Sequence, residues 1–277
     1  MEISDKEFKL LSVLIKEKAG VDLKENKKTL IVLRLSKRLE ALQLKSFESY
    51  YNLLLKDNEA AELHYFIDNI TTHYTYFLRE EIQFNYFSHV VLPNVCSSIS
   101  DGDLRIWSAA ASTGEEPYSI AMILEEYFGA ERLFWNKEIL ATDIARKVIS
   151  SAIDGLYLVQ EMNKLPSLWL KKYFERVNNT HYRIKEQIKR EVIFRCFNLL
   201  EPHYPFKKKF HVIFCRNVLI YFDKKTKNQV ISKLVANLED NGYLFLGLSE
   251  SIDYKKFGLV YVQPSIYRKD IQESDEY

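Results

Sequence analysis

The feature that most narrows the fold is an alternation of two hydrophobic periods along residues 104–269. Short continuous apolar runs, as in strands buried on both faces, alternate with longer segments whose apolar residues recur every three or four positions. LRIWSAAAS (104–112) precedes the helical EPYSIAMILEEYF (116–128), and EILATDI (138–144) precedes ARKVISSAIDGLY (145–157). FHVIFCRNVLIYF (210–222), read as a strand, precedes DKKTKNQVISKLVANLEDNG (223–242), read as a helix. In that helix Val230, Leu234 and Leu238 fall in line, Asp223 is a fitting N-cap and Gly242 a stop. VIFRCFNLL (192–200) and GYLFLGLS (242–249) add two further strands. Strands joined through helices lie parallel, so the pattern predicts an α/β, doubly wound sheet. LVYVQPSIYRK (259–269) reads as two strand pieces around Pro264 that close the sheet as an antiparallel pair.

Residues 1–72 follow a different rule. They hold no Pro and a single Gly, Gly20, and their apolar residues keep helical spacing throughout. Phe8, Leu11 and Ile15 make one stripe, Val32, Leu35, Leu39 and Leu42 another, and Phe66, Ile67 and Ile70 close a later helix. The expectation is a small all-helical domain over 1–72 and a larger α/β domain over 73–277. Residues 164–189 are mixed and charged, the mark of an insertion.

Composition excludes several classes. A net charge of +1 over 277 residues provides no basic field for nucleic acid. No apolar run reaches the ~18 residues of a membrane span, and the acidic MEISDKEFKL start lacks the core of a signal peptide. Cys96, Cys196 and Cys215 are odd in number and form no metal-spaced pair, so free thiols in a reducing cytoplasm and no metal centre are expected.

In an open α/β sheet the ligand lies beyond the carboxyl ends of the strands. The first strand runs into SAAASTGEEPYS, where small residues and Gly114 let the backbone approach a ligand. Glu115 and Glu116 in that turn complement a helix N-terminus; they would also repel a pyrophosphate and suit a cationic, phosphate-free cofactor. This disfavours a nicotinamide-dependent dehydrogenase. At the next strand ends, Asp143 is either a helix cap or a ligand for ribose hydroxyls, and Asn198 is either turn chemistry or an adenine contact beside Leu199. Arg216 and Asn217 interrupt an apolar run; a buried Arg there needs a carboxylate partner or an open cleft. Tyr221 is either a core aromatic or a site hydroxyl. Arg79, following Tyr76 and Phe77, is a structural ion pair or a carboxylate fork at a cleft mouth.

Taken together, TTHYTYFLRE, RIWSAAASTGEEPYSIAMIL, ATDI, FNLLE and FCRNVLIYFD, followed by GYLFLGLSES, resemble the CheR family of chemotaxis receptor methyltransferases over nearly the whole chain. That family transfers a methyl group from S-adenosylmethionine to glutamate side chains of bacterial chemoreceptors, leaving S-adenosylhomocysteine. The resemblance implies a cofactor loop containing Glu115, a ribose acid at Asp143, adenosine contacts at Asn198 and Leu199, and a cleft lined by Arg216 and Asn217. It also implies that His73, Thr75 and Arg79 close over the cofactor, with Arg79 and Tyr221 serving the transfer step. The family's junction motif reads Asn-x-Thr-x-Phe-Phe-Arg; here His73 replaces the Asn and Leu78 the second Phe. A His keeps one hydrogen bond and adds pH sensitivity. A glutamate, with an ordinary pKa of about 4.3, is already anionic at neutral pH, so no catalytic base is required.

The implied partners are methyl-accepting chemotaxis receptors; Lys27, Arg34 and Arg38 fall on one side of the second helix, which is either an ordinary solvated face or the basic face that the resemblance implies meets the receptor. The stretch 173–194 corresponds to the family's small β subdomain, which in some members binds a receptor tail peptide. Asn178 and Asn179 are suited to its turn. A methyltransferase for another substrate and a non-catalytic S-adenosylmethionine sensor are the alternative readings.

Overall fold

The computed structural model describes residues 2–57 and 60–270. Four helices come first: α1 (Asp5–Ala19), α2 (Lys28–Ala41), α3 (Phe47–Lys56) and α4 (Ala61–Ile70). Ser4 starts α1 with a capping box, its hydroxyl facing the Glu7 N–H while the Glu7 carboxylate accepts from the Ser4 N–H at 2.9 Å. Phe8, Leu11 and Ile15 of α1 meet Ile31, Leu35 and Leu39 of α2, with Phe47, Tyr50, Phe66, Ile67 and Ile70 completing one core. Ile31 takes the deep position; Val32 and Leu42 only flank it. Gly20 ends α1 at φ 76°, and a Cβ there would lie 2.8 Å from the Phe222 ring, so the turn also admits close contact with the α/β region.

Two arginines expected on a docking face are used inside this bundle. Arg34 Nη1 donates to the carbonyls of Asn69, Ile70 and Thr71 at 3.0, 2.8 and 2.8 Å, which satisfies the C-terminus of α4. Arg38 forks onto Glu62, which also accepts from the Tyr50 hydroxyl at 2.8 Å, and its guanidinium stacks 4.4 Å from the centre of the Tyr65 ring. Both are partly buried and committed, because the carbonyls that end α4 and the buried Glu62 carboxylate need donors. Lys27 alone of the three stays exposed without a carboxylate partner among the described residues.

The remaining helices are α5 (Glu81–Tyr86), α6 (Leu92–Cys96), α7 (Glu115–Phe128), α8 (Arg146–Asp154), α9 (Ser167–Tyr173), α10 (Glu186–Lys189) and α11 (Lys224–Ala236). The strands are β1 (Ile106–Ser108), β2 (Ile139–Asp143), β3 (Leu156–Leu158), β4 (Phe174–Arg176), β5 (His181–Ile184), β6 (Val192–Cys196), β7 (Phe210–Cys215), β8 (Leu238–Leu246), β9 (Leu259–Gln263) and β10 (Ile266–Lys269). Seven of them form one sheet in the order β6-β2-β1-β7-β8-β10-β9, with only β10 antiparallel to its neighbours. The chain winds outward from β1 through β2 to β6, then returns to lay β7 on the other side of β1. The switch point therefore falls between β1 and β7, where crossovers diverge and leave a crevice. No helix among the described residues is long and apolar enough to cross a membrane.

Three element boundaries differ from the sequence reading. The helix begun at Arg146 stops at Asp154, because Gly155 turns left-handed (φ 61°) and releases Leu156–Leu158 as β3. The helix after Asp223, whose carboxylate accepts from Thr226 N at 2.8 Å, ends at Ala236. Leu238 opens β8, and Gly242 sits inside that strand where the register on β7 jumps from Leu238 opposite Phe210 to Tyr243 opposite Val212. The run 210–222 is a strand only to Cys215, since Asn217 at φ 58° cannot continue it and Leu219–Tyr221 coil into a 3-10 turn. The antiparallel pair around Pro264 is present as β9 and β10. β3, β5 and β4 make a second, antiparallel sheet, and the β4–β5 turn is closed by Asn178 Oδ1, which accepts from Thr180 N and His181 N at 2.8 and 2.9 Å.

Candidate functional site

A cavity of about 370 Å³ opens at the carboxyl ends of β1, β2, β6 and β7, within the size range of small-molecule sites. The α1–α2 connection and residues 70–79 roof it. The helical domain is tied over it by an antiparallel bridge from Val21 to Phe222, by Asp22 N donating to Tyr221 O (2.8 Å), and by Lys16 pairing with Asp223 (2.8 Å). Among the residues expected from sequence, His73, Thr75, Arg79, Asp143, Asn198, Leu199, Arg216, Asn217 and Tyr221 all line this one cavity.

Glu115 does not. It opens α7, and consecutive helical residues point about 100° apart, so only one of two adjacent carboxylates can face the crevice. Glu115 turns inward, where Thr113 Oγ1 donates to it at 2.7 Å, and burial pushes its carboxyl from 4.5 up to about 7. Glu116 lines the cavity instead.

At the floor, the Arg216 guanidinium is almost wholly buried, with 1% of its side chain exposed. Its Nη1 donates to Glu116 Oε2 at 2.9 Å, and its Nη2 to Glu80 Oε2 at 3.0 Å and to the Arg79 carbonyl at 2.5 Å. Both partners suggested by the sequence are therefore present: carboxylates satisfy the Arg, and a cleft lies beside it. Of its nitrogens only Nε is buried without a hydrogen-bond partner among the described residues. Ser108 Oγ, at the end of β1, donates to Glu116 Oε1 at 2.7 Å. A third carboxylate, Glu250, collects the backbone N–H groups of Gly247, Asn217 and Ile220 at 2.7, 2.8 and 3.2 Å, holding Asn217 in its left-handed turn. Burial pushes Glu116 and Glu250 upward; Arg216 opposes this at Glu116, and the backbone donors oppose it at Glu250. Two carboxylates, Glu116 and, behind the lining, Glu80, thus share one guanidinium, which leaves an excess of acid at and beneath the floor.

On the β2 side, Asp143 accepts from Ser112 N (2.9 Å) and Ala145 N (3.0 Å), so it holds the small-residue turn before Gly114 and the entry to the next helix while facing the cavity. His73 Nδ1 lies 4.0 Å from Asp143 Oδ1. The Thr71 hydroxyl donates to Ile67 O, so at 2.6 Å it accepts from His73 Nε2–H, leaving the Nδ1 lone pair toward Asp143 in the neutral ring. Burial lowers His73 and raises Asp143, and each opposes the other's shift. Asn198 is committed to local chemistry: Oδ1 accepts from Leu200 N (2.9 Å), and Nδ2 donates to Lys18 O (2.8 Å), joining α1 to the sheet. Leu199 is buried against the cavity.

At the mouth, Arg79 donates to the Tyr74 carbonyl at 2.7 Å and lies 5.7 and 5.9 Å from the ring centres of Tyr74 and Tyr76. It has no carboxylate partner among the described residues. The Tyr221 hydroxyl likewise has no hydrogen-bond partner among them, while its ring packs against the helical core. Glu80 and Glu250 were not singled out by sequence, and Glu116 was read together with Glu115, with no means of telling which of the two neighbours faces the cavity; for Glu80 the available signal was a carboxylate next to Arg79.

The family model described as "CheR methyltransferase, SAM binding domain" matches residues 73–265, and the one described as "CheR methyltransferase, all-alpha domain" matches residues 6–71. A chemotaxis protein methyltransferase of Borreliella burgdorferi is 38% identical over 273 residues, covering 98% of this chain and 96% of the relative. One of Escherichia coli is 37% identical over 257 residues, 92% of this chain and 87% of the relative. Chemotaxis protein methyltransferase 2 of Pseudomonas aeruginosa is 38% identical over 235 residues, 84% and 81% of the two chains. Matched in both its helical and its α/β part, and aligned with such relatives over most of its length, the chain belongs to the CheR methyltransferase family.

Proposed function

We propose that this protein transfers a methyl group from S-adenosylmethionine to glutamate carboxylates of methyl-accepting chemotaxis receptors, giving methyl esters. The observation that carries the reading is a charge arrangement: acid in excess at the cavity floor and, at its mouth, an arginine with no acid partner. The floor suits a ligand that carries an ammonium and a sulfonium and no phosphate. In this reading Asp143 and Leu199 hold the ribose and adenine and Asn217 and Glu116 the amino-acid end, which is supported by all four lining the cavity, and the buried Arg216 Nε has a donor to spare for a carboxylate. When bound, S-adenosylmethionine supplies a methyl group activated by a positive sulfur.

The residues at the mouth handle the acceptor. Arg79 receives an incoming carboxylate and fixes its orientation. Its stacking on two tyrosines restrains the guanidinium without neutralising it. Tyr221 donates from its free hydroxyl at closer range. Charge leaves the carboxylate as the ester forms, so a grip that is too strong would stabilise the ground state; orientation by a partly exposed Arg avoids this. Thr75 and the roof residues exclude water.

Lys27, at the cavity rim, is the exposed cation suited to an acidic receptor helix. Arg34 and Arg38 support that face from within. The test is incubation with labelled S-adenosylmethionine and a receptor cytoplasmic fragment. Base-labile label on the receptor is the expected result, lost in Tyr221→Phe and Arg79→Ala at unchanged S-adenosylhomocysteine affinity. Label that resists base, or none at all, refutes the reading.

A further inference from the structure

Arg79 is flanked by two residues in the left-handed region, Leu78 at φ 55° and Glu80 at φ 60°. Neither is Gly or Asn, so this backbone persists only where its surroundings hold it, and such strain tends to gather at functional sites. The restraints are specific. Leu78 N donates to Ser119 Oγ at 3.0 Å, and the Arg79 carbonyl accepts from Arg216 Nη2 at 2.5 Å. The Glu80 carboxylate takes Arg216 Nη2 (3.0 Å), Asn217 Nδ2 (3.2 Å) and Leu248 N (3.1 Å). Glu80 is not among the residues that line the cavity, and its side chain is 14% exposed.

The guanidinium of Arg216 is a rigid fork suspended between two acids. Glu116 draws one nitrogen; Glu80 draws the other, the same nitrogen that holds the Arg79 carbonyl. Without the charge on Glu80, the fork is drawn toward Glu116 and away from Arg79. We infer that Glu80 is a positioning residue for methyl transfer: through Arg216 it fixes the backbone from which Arg79 reaches the acceptor carboxylate. This rests on the role given to Arg79 above. Misplacing an orienting group by about 1 Å can cost on the order of 100-fold in rate.

The experiment is a double-mutant cycle on receptor-fragment methylation, with S-adenosylhomocysteine affinity measured by calorimetry for every variant. Glu80→Gln keeps the shape of the side chain and removes its charge. The expected result is a fall in kcat of at least about tenfold with KM and S-adenosylhomocysteine affinity within about threefold. In an Arg79→Lys background the same change should cost less than about threefold, because the residue it positions is already altered. Equal losses in both backgrounds, a parallel loss of S-adenosylhomocysteine binding, or wild-type kcat in Glu80→Gln overturns the inference. Should Glu80→Gln fail to fold, Ser119→Ala decides instead: it removes the restraint on Leu78, and an additive effect with Arg79→Lys rejects positioning of this segment. A wild-type protein that binds S-adenosylhomocysteine yet methylates no receptor fragment defeats the functional reading rather than the role of Glu80 alone.

Discussion

Glu115→Gln separates the two adjacent carboxylates of the first loop. Folded Glu115 is 4% exposed, and burial raises its carboxyl from 4.5 to about 7. That displacement is equivalent to about 3 kcal/mol. The folded state holds this proton more tightly than the unfolded chain does. Its contribution to stability is therefore full below pH 4.5 and is lost as pH rises through about 7. Glutamine keeps the shape and the oxygen that accepts from Thr113, and it cannot ionise. In urea titrations the variant should gain on wild type by about 2–3 kcal/mol more at about pH 8.5 than at about pH 5. Affinity for S-adenosylhomocysteine should not change, because Glu115 faces away from the cavity. Glu116→Gln is the counterpart: it leaves Arg216 with one carboxylate and should weaken that affinity by about tenfold or more. A stability difference that is flat with pH, or a loss of affinity confined to Glu115→Gln, would refute both the burial argument and the assignment of the two acids.

Two other expectations follow from the geometry. A Cβ on Gly247 would fall 2.4 Å from Asn217 Nδ2 and 2.9 Å from Glu250 Oε2, so Gly247→Ala should cost about 2–3 kcal/mol in thermal unfolding; an unchanged Tm would mean that this turn yields freely. Burial lowers His73, with Asp143 and Asp68 opposing and Arg34 reinforcing the shift, so the folded state resists this proton more than the unfolded chain does. Wild-type stability should therefore fall more steeply than that of His73→Asn as pH drops below the ordinary 6.5, and parallel pH profiles would remove His73 from this account.

Much of the site was legible because ligand position in a wound sheet follows from strand ends, and strand ends can be read from where apolar runs stop. Asp143, Asn198, Arg216 and Asn217 were found that way, and all line the cavity. Boundaries were less legible where a single conformational choice decides them. Gly155, Asn217 and Gly242 each redirect the chain, and composition does not say whether a Gly ends a helix or bends a strand. Arg34 and Arg38 had the spacing of a solvent-facing basic stripe. They are engaged instead because α4 ends beside one and Glu62 lies beside the other, partners that a helical period cannot reveal.

The alternation of strands and helices, the helical domain ahead of it, and the motifs shared with the CheR methyltransferases are all written in the linear chain. These are properties of local period and of residues close together in the chain. The tertiary structure decided which acid of an adjacent pair meets the cavity, which arginines are consumed internally, and that Glu80, Glu116 and Arg216 form one unit. Those outcomes depend on pairing between groups from 24 to 136 positions apart, and a buried charge takes whichever partner the fold brings within reach.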